Sequence, residues 1–157
     1  MTKNYFIQLC NQQLKLVRAE CSFTQEKMAL VLGISKKTLV EIEKGRSSLG
    51  WGGSVVLCTI FAGSKIIIDT FGGAPTDVIL SLAFEGSEPE YAKVLNKGIF
   101  WQTIRENDGY KIQQNIISQH YRLLSGDGKR IASSFVLEDL LALTDEKQRA
   151  ESTYGYL

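Results

Sequence analysis

The stretch TQEKMALVLGISKKTLVEIEKGR, residues 24–46, decides how this chain is read. It holds two amphipathic segments, each too short to be a stable helix alone. Met28, Ala29 and Leu32 fall at helical spacing in the first, and Leu39 and Ile42 in the second. Gly33 ends the first segment, because glycine enters the left-handed conformation at low cost. Ser35 then supplies an oxygen that can accept from a free N–H and cap the next helix. Lys36 and Lys37 stand at the N-terminal tip of that helix, where they oppose its dipole. The cost is understandable if an anion meets them there.

Working outward, the spacing of Leu9, Gln13, Leu14, Val17 and Cys21 predicts a helix over 5–20. Ser22 or Thr24 caps the helix that follows, and Glu26 in its first turn suits the dipole. The next helix covers 36–44 and is stopped by Gly45. After the loop SSLGWGGS, helices over 54–62 and 64–71 bring Val56, Ile60, Ile66 and Ile67 to a small core. The cluster GGAP at 72–75 is a breaker, and a helix over 76–85 precedes the loop GSEPE.

Past residue 96 the composition turns β-branched and aromatic. IFWQTI, the turn ENDG, YKIQQNIISQHYRLLS, the turn SGDGK and RIASSF read as an antiparallel sheet of about three strands. Ile112, Ile116 and Tyr121 suit a helix equally well, so the middle segment stays open. A helix over 137–150 presents Leu137, Leu140 and Leu141, and the tail 151–157 is expected to fray. The reading gives a domain over 1–71, a helical linker over 72–95, a small α+β domain over 96–150 and the tail 151–157.

Two short helices joined at about a right angle by a tight glycine turn form a helix-turn-helix. The first holds the second out, so the tip of the second can enter the major groove of DNA. Lys36 and Lys37 could there reach guanine O6 and N7. The plain alternative is a packing unit whose lysines are an ordinary solvated face.

Over about 14–70 the chain resembles the helix-turn-helix domain of lambda/434-type repressors, Cro proteins and the XRE group of bacterial regulators. Thr24-Gln25-Glu26, Met28-Ala29, Leu32-Gly33-Ile34-Ser35, Thr38-Leu39, Ile42-Glu43 and Gly45-Arg46 carry the likeness. The resemblance implies a five-helix repressor-like domain at the N-terminus; with the small antiparallel β element and C-terminal helix read from the residues that follow, the chain is expected to be α+β. It also implies dimeric binding to a partly palindromic site, with no catalysis; no cofactor is expected. Gln25 would bond a phosphate from the start of its helix. Ser35, Lys36, Lys37 and Glu41 would face base edges. Thr38, Lys44 and Arg46 would lie at or near phosphates. Arg18 and Glu43 match a buried ion pair of the family, so Arg18 is expected to be structural. Two departures stand out. The family's proline-bearing loop after Gly-Arg is SSLGWGG here, and Glu41 is an acid where an amide would sit more comfortably beside DNA.

Net charge is +1, but its distribution is uneven. Residues 1–50 carry eight Lys and Arg against four Asp and Glu, while the rest of the chain is acidic on balance. The basic third is the one that holds the helix-turn-helix, the sign a polyanion-binding module needs. Cys10, Cys21 and Cys58 form no C-x-x-C pair and read as reduced, mostly buried thiols, with redox or metal sensing the lesser reading. No secretory leader is evident, and the most apolar run, 55–68, is broken by Gly63, Ser64 and Lys65. A cytoplasmic protein without membrane contact is expected. His120 is the single histidine and reads as a hydrogen-bonding residue, and no hydrolase, nucleotide or zinc-protease motif occurs, so no enzymatic activity is expected.

For residues 96–136 three readings stay open. They are a dimerisation element anchored by Phe100, Trp101, Tyr110 and Tyr121, a sensor of a small molecule, peptide or protein effector, and a DNA wing built on Lys111, Arg122, Lys129 and Arg130. The whole reads as a sequence-specific transcriptional regulator, a repressor binding double-stranded DNA as a homodimer through helix 35–44. The alternative is an antitoxin-like or adaptor protein that mainly binds a protein partner through its C-terminal half.

Overall fold

The computed structural model of the protein describes residues 1–90, 97–107 and 109–154. The chain divides into two compact units, Met1–Glu90 and Tyr91–Leu157. The described residues form seven α-helices and one four-stranded antiparallel sheet, an α+β architecture.

The first unit is helical: α1 (Lys3–Glu20), α2 (Gln25–Leu32), α3 (Lys36–Glu43), α4 (Gly50–Ile60), α5 (Lys65–Phe71) and α6 (Pro75–Phe84). Its core takes Phe6, Cys10, Leu14 and Val17 from α1, Met28, Ala29 and Leu32 from α2, and Leu39 and Ile42 from α3. Leu57, Cys58 and Phe61 come from α4 and its end, and Ile67 and Phe71 from α5. The buried stripe of α1 therefore starts at Phe6 and runs through Cys10, whereas Leu9 only flanks it.

Helix α4 corrects the sequence reading in two ways. It begins at Gly50, four residues before the expected start at Ser54. Glycines are poor helix formers, so the reason is tertiary. Asn11 on α1 accepts from the Leu49 backbone at 2.9 Å and donates to Ser48 Oγ at 3.0 Å. Ser48 Oγ in turn accepts from Gly50 N at 3.1 Å. Trp51 packs against Phe6, ring centroids 5.6 Å apart. The inward face is also different, since Val56 and Ile60 are exposed and Leu57 and Cys58 are buried. A run apolar on every side gives no periodicity from which to choose a face.

Cys10 and Cys58 are free thiols whose Sγ atoms meet at 3.7 Å inside this core, and Cys21 is half-buried. Glu20, at the end of α1, caps α5 by accepting from Lys65 N at 2.8 Å and from the Ser64 hydroxyl. Helix α6 packs on α4 and α5 through Val78, Ile79 and Leu82. No single described helix is long and apolar enough to cross a membrane.

In the second unit a 3₁₀ turn over Lys97–Phe100 leads into β1 (Trp101–Asn107), β2 (Tyr110–Asn115), β3 (Tyr121–Ser125) and β4 (Arg130–Ser134). They pair as a meander in the order β1-β2-β3-β4. The count is thus four strands, and the ambiguous middle segment is strand, turn, strand. Asn115 decides it, its side chain accepting from the backbones of Ile117 and Ser118, both at 3.0 Å. Such an Asx turn competes with helix formation. Asp108, in the first Asp-Gly turn, lies outside the described residues, and Gly109 after it has a φ of +81°.

Helix α7 (Leu137–Tyr154) runs past the expected end at 150 into the segment read as a frayed tail, of which 155–157 lie outside the described residues. Its Leu140 meets Ile112 of β2 and Leu123 of β3, which are register partners. Side chains alternate along a strand, so one face of the sheet is given to α7 and the other is not. Tyr110 and Tyr121, expected as interface anchors, pack against the core cluster under α7.

Candidate nucleic-acid interface

Helix α3 is placed by its two ends. At the start, Ser35 Oγ accepts from Thr38 N at 3.0 Å and lies 2.8 Å from the Thr38 hydroxyl. At the finish, Arg46 N reaches Glu41 O at 2.8 Å and Gly45 N reaches Ile42 O at 2.9 Å, with Gly45 at a φ of +73°. That pair of bonds is a Schellman closure. Helix α2 ends the same way, with Ile34 N on Ala29 O and Gly33 N on Leu30 O, and Gly33 at +69°. Thr24 caps the start of α2 by accepting from Lys27 N at 3.1 Å. The turn that puts α3 across α2 is thus fixed by local chemistry at four points.

Orientation against α1 is fixed by one ion pair. Arg18 Nε donates to Glu43 Oε1 at 2.6 Å and Nη2 to Oε2 at 3.1 Å, a two-pronged bond. The Arg18 and Glu43 side chains are only 17% and 5% exposed. Burial pushes the Glu43 carboxyl up. The bonds from Arg18 and Gln25, with the guanidinium charge, outweigh that and hold it below its ordinary value. The same bond raises Arg18. Arg18 also reaches the Phe23 carbonyl at 3.2 Å, which ties down the loop into α2.

The candidate contact residues fall into two groups. Gln25, Ser35 and Thr38 have side-chain partners within the module. Gln25 donates its amide to Glu43 Oε2 at 2.9 Å, and Ser35 and Thr38 hold each other at the cap. What Gln25 leaves open at the start of α2 is backbone N–H, as at any helix N-terminus. Lys36, Lys37, Glu41, Lys44 and Arg46 project from the other side, away from Leu39 and Ile42. Lys37 and Lys44 are exposed and join no ion pair among the described residues. Lys36 is bridged back to Glu26 on the first turn of α2, and that bond lowers the Glu26 carboxyl. Arg46 lies 3.9 Å from Glu41, a loose pair.

The sequence reading passed over two residues. Val40 is half-buried between Lys37 and Lys44 on the outer helix face, an apolar group of the kind that contacts a thymine methyl. Glu26 enters the interface by holding Lys36. Helical spacing reveals the first. The second spans a turn and has no local signal.

Residues 14–50 match the helix-turn-helix family, while no curated protein and no solved structure matches the chain. The match covers the C-terminal part of α1 from Leu14, all of α2 and α3, and the loop up to the first residue of α4. Over residues 14–50 the chain is therefore similar to DNA-binding helix-turn-helix domains of the XRE type.

Proposed function

We propose that the protein is a sequence-specific transcriptional regulator, a repressor that binds a pseudo-palindromic operator as a homodimer in the cytoplasm. It acts by binding and not by catalysis. The observation that carries this reading is the tip of α3, where Lys37 stands exposed on a helix clamped at both ends and locked to α1 through Arg18 and Glu43. A cation held on a fixed axis, beside free helix N–H groups, suits a phosphate or a guanine edge. Gln25, Ser35, Lys36, Thr38, Glu41, Lys44 and Arg46 complete the proposed contact set.

The test is selection of fragmented host DNA on the purified full chain, followed by sequencing. A recovered pseudo-palindrome with half-sites about one helical turn (~34 Å) apart is expected. Absence of any enrichment at low salt would sink the reading. Sedimentation with the recovered site should show two chains per duplex.

A further inference from the structure

The sheet of the second unit has one face under α7 and one that no described helix of that unit covers. Ile112, Leu123 and Ala132 are register partners on the covered face. Thr103, Gln113, Arg122 and Ser133 are therefore register partners on the other. They are wired together. Gln113 donates to Thr103 Oγ1 at 3.3 Å and accepts from Arg122 Nε and Nη2 at 3.1 and 2.8 Å. The Arg122 guanidinium lies 3.6 Å from the centre of the Trp101 ring, and His120 meets the same ring edge-on at 5.1 Å.

The guanidinium is thus half-buried and oriented, yet its side-chain partners are a neutral amide and an indole. No carboxylate pairs with it among the described residues. Burial alone accounts for the lowering of its pKa. The ordinary solution is seen in the same unit at Lys111 and Glu106, 3.0 Å apart. A fixed, partly desolvated cation without an acid is a prepared seat for one, since arginine takes carboxylates in a planar fork.

The surroundings say what kind of molecule brings that acid. Phe135, 77% exposed, packs on His120, and Ile117, 72% exposed, tops the adjoining turn. Ile116 joins them, its backbone N–H bonded to Phe100 O at 2.9 Å. A large exposed apolar patch beside one oriented arginine is the anatomy of a protein-binding surface. A nucleic-acid strand would instead want a run of cations tracking its phosphates.

We propose that this face, with Arg122 on Trp101 at its centre and Phe135 and Ile117 at its rim, docks a protein segment that presents one carboxylate among apolar side chains. The proposal is independent of the DNA-binding reading, which rests on α3 in the other unit. Of the three readings open for residues 96–136 it selects the effector or partner surface.

The test uses a random peptide library displayed on phage, selected on the full chain. Hits are synthesised with their acid intact and as the matching amide. Binding is read from Trp101 fluorescence in a Trp51→Phe background. Selected peptides should share an Asp or Glu flanked by apolar residues, and the amide should bind about tenfold or more weakly, as loss of a charged hydrogen bond implies. Arg122→Gln should erase that acid–amide difference while leaving the thermal melt in place. Phe135→Ser, a surface change, should weaken both peptides alike. Peptides without a shared acid, no enrichment at all, or an acid–amide difference that survives in Arg122→Gln would each overturn the proposal. So would concentration-dependent self-association abolished by Phe135→Ser, which would give the face to a second copy. Quenching of Trp101 by duplex DNA and not by peptide would also overturn it, giving the face to a nucleic-acid wing.

Discussion

At the scale of single residues, Glu43 is the side chain on which most depends. It receives Arg18 and Gln25 while nearly buried, so removing its partner leaves an unpaired charge in a poor solvent. Arg18→Met should cost about 3 kcal/mol in denaturant unfolding at neutral pH. The pH dependence follows from the lowered carboxyl. The contribution of Glu43 is fully present above its ordinary value of 4.5 and is lost as pH falls through the lower folded value. Thermal melts of Glu43→Gln should therefore start lower at neutral pH and fall less steeply in acid than the parent. Parallel slopes for the two would refute the linkage. Lys36 and Lys37 separate here too. Lys37→Ala should weaken specific DNA binding and relax base preference at the contacted position, read by fluorescence anisotropy. Lys36→Ala should do less, because that lysine starts from a partner it must leave. Glu26→Gln should strengthen binding a few-fold, in keeping with an exposed pair of modest strength.

Among the elements, the helix-turn-helix was the part most legible beforehand, because its ends are written locally. Ser35 and Thr24 cap, and Gly33 and Gly45 close, all from positions visible in the string. Gly33→Ala meets no atom within 4 Å of the added Cβ, so its cost is the left-handed backbone alone. About 1 kcal/mol of unfolding free energy is expected. A loss several times larger would mean that the turn does more than reverse the chain. Helix α4 was misread because its start is held by Asn11 from 38 residues upstream and its sequence is apolar on all sides. The strand–turn–strand at 110–125 was left undecided because hydrophobic spacing fits both periods, while the deciding group was the side chain of Asn115. At the candidate site the identities of the cations were legible and their engagements were not. Neither the Glu26 bridge nor the Gln25 bond to Glu43 follows from spacing, since both form only when α2 and α3 come together.

For the whole molecule, the division at Glu90 makes a claim about where the first unit can be cut. Val78, Ile79 and Leu82 of α6 pack on its core, so the helix belongs to the fold energetically. A chain ending at Glu90 should melt cooperatively. One ending at Phe71 should lose about 3 kcal/mol through the apolar surface laid open, seen as a lower urea midpoint. Equal midpoints would return α6 to the status of a linker. Salt enters at this scale as well, because DNA affinity tracks the counterions a protein displaces. The bridge between Lys36 and Glu26 has a consequence there. On the proposed reading the carboxylate of Glu26 is a built-in decoy for phosphate. Lys36 comes to DNA already neutralised and trades one anion for another. Nonspecific duplex, which offers only phosphate, then gains little from it. A site that also presents a guanine edge gains what the decoy cannot match. The bridge sets a threshold that favours the right sequence over the abundant wrong ones.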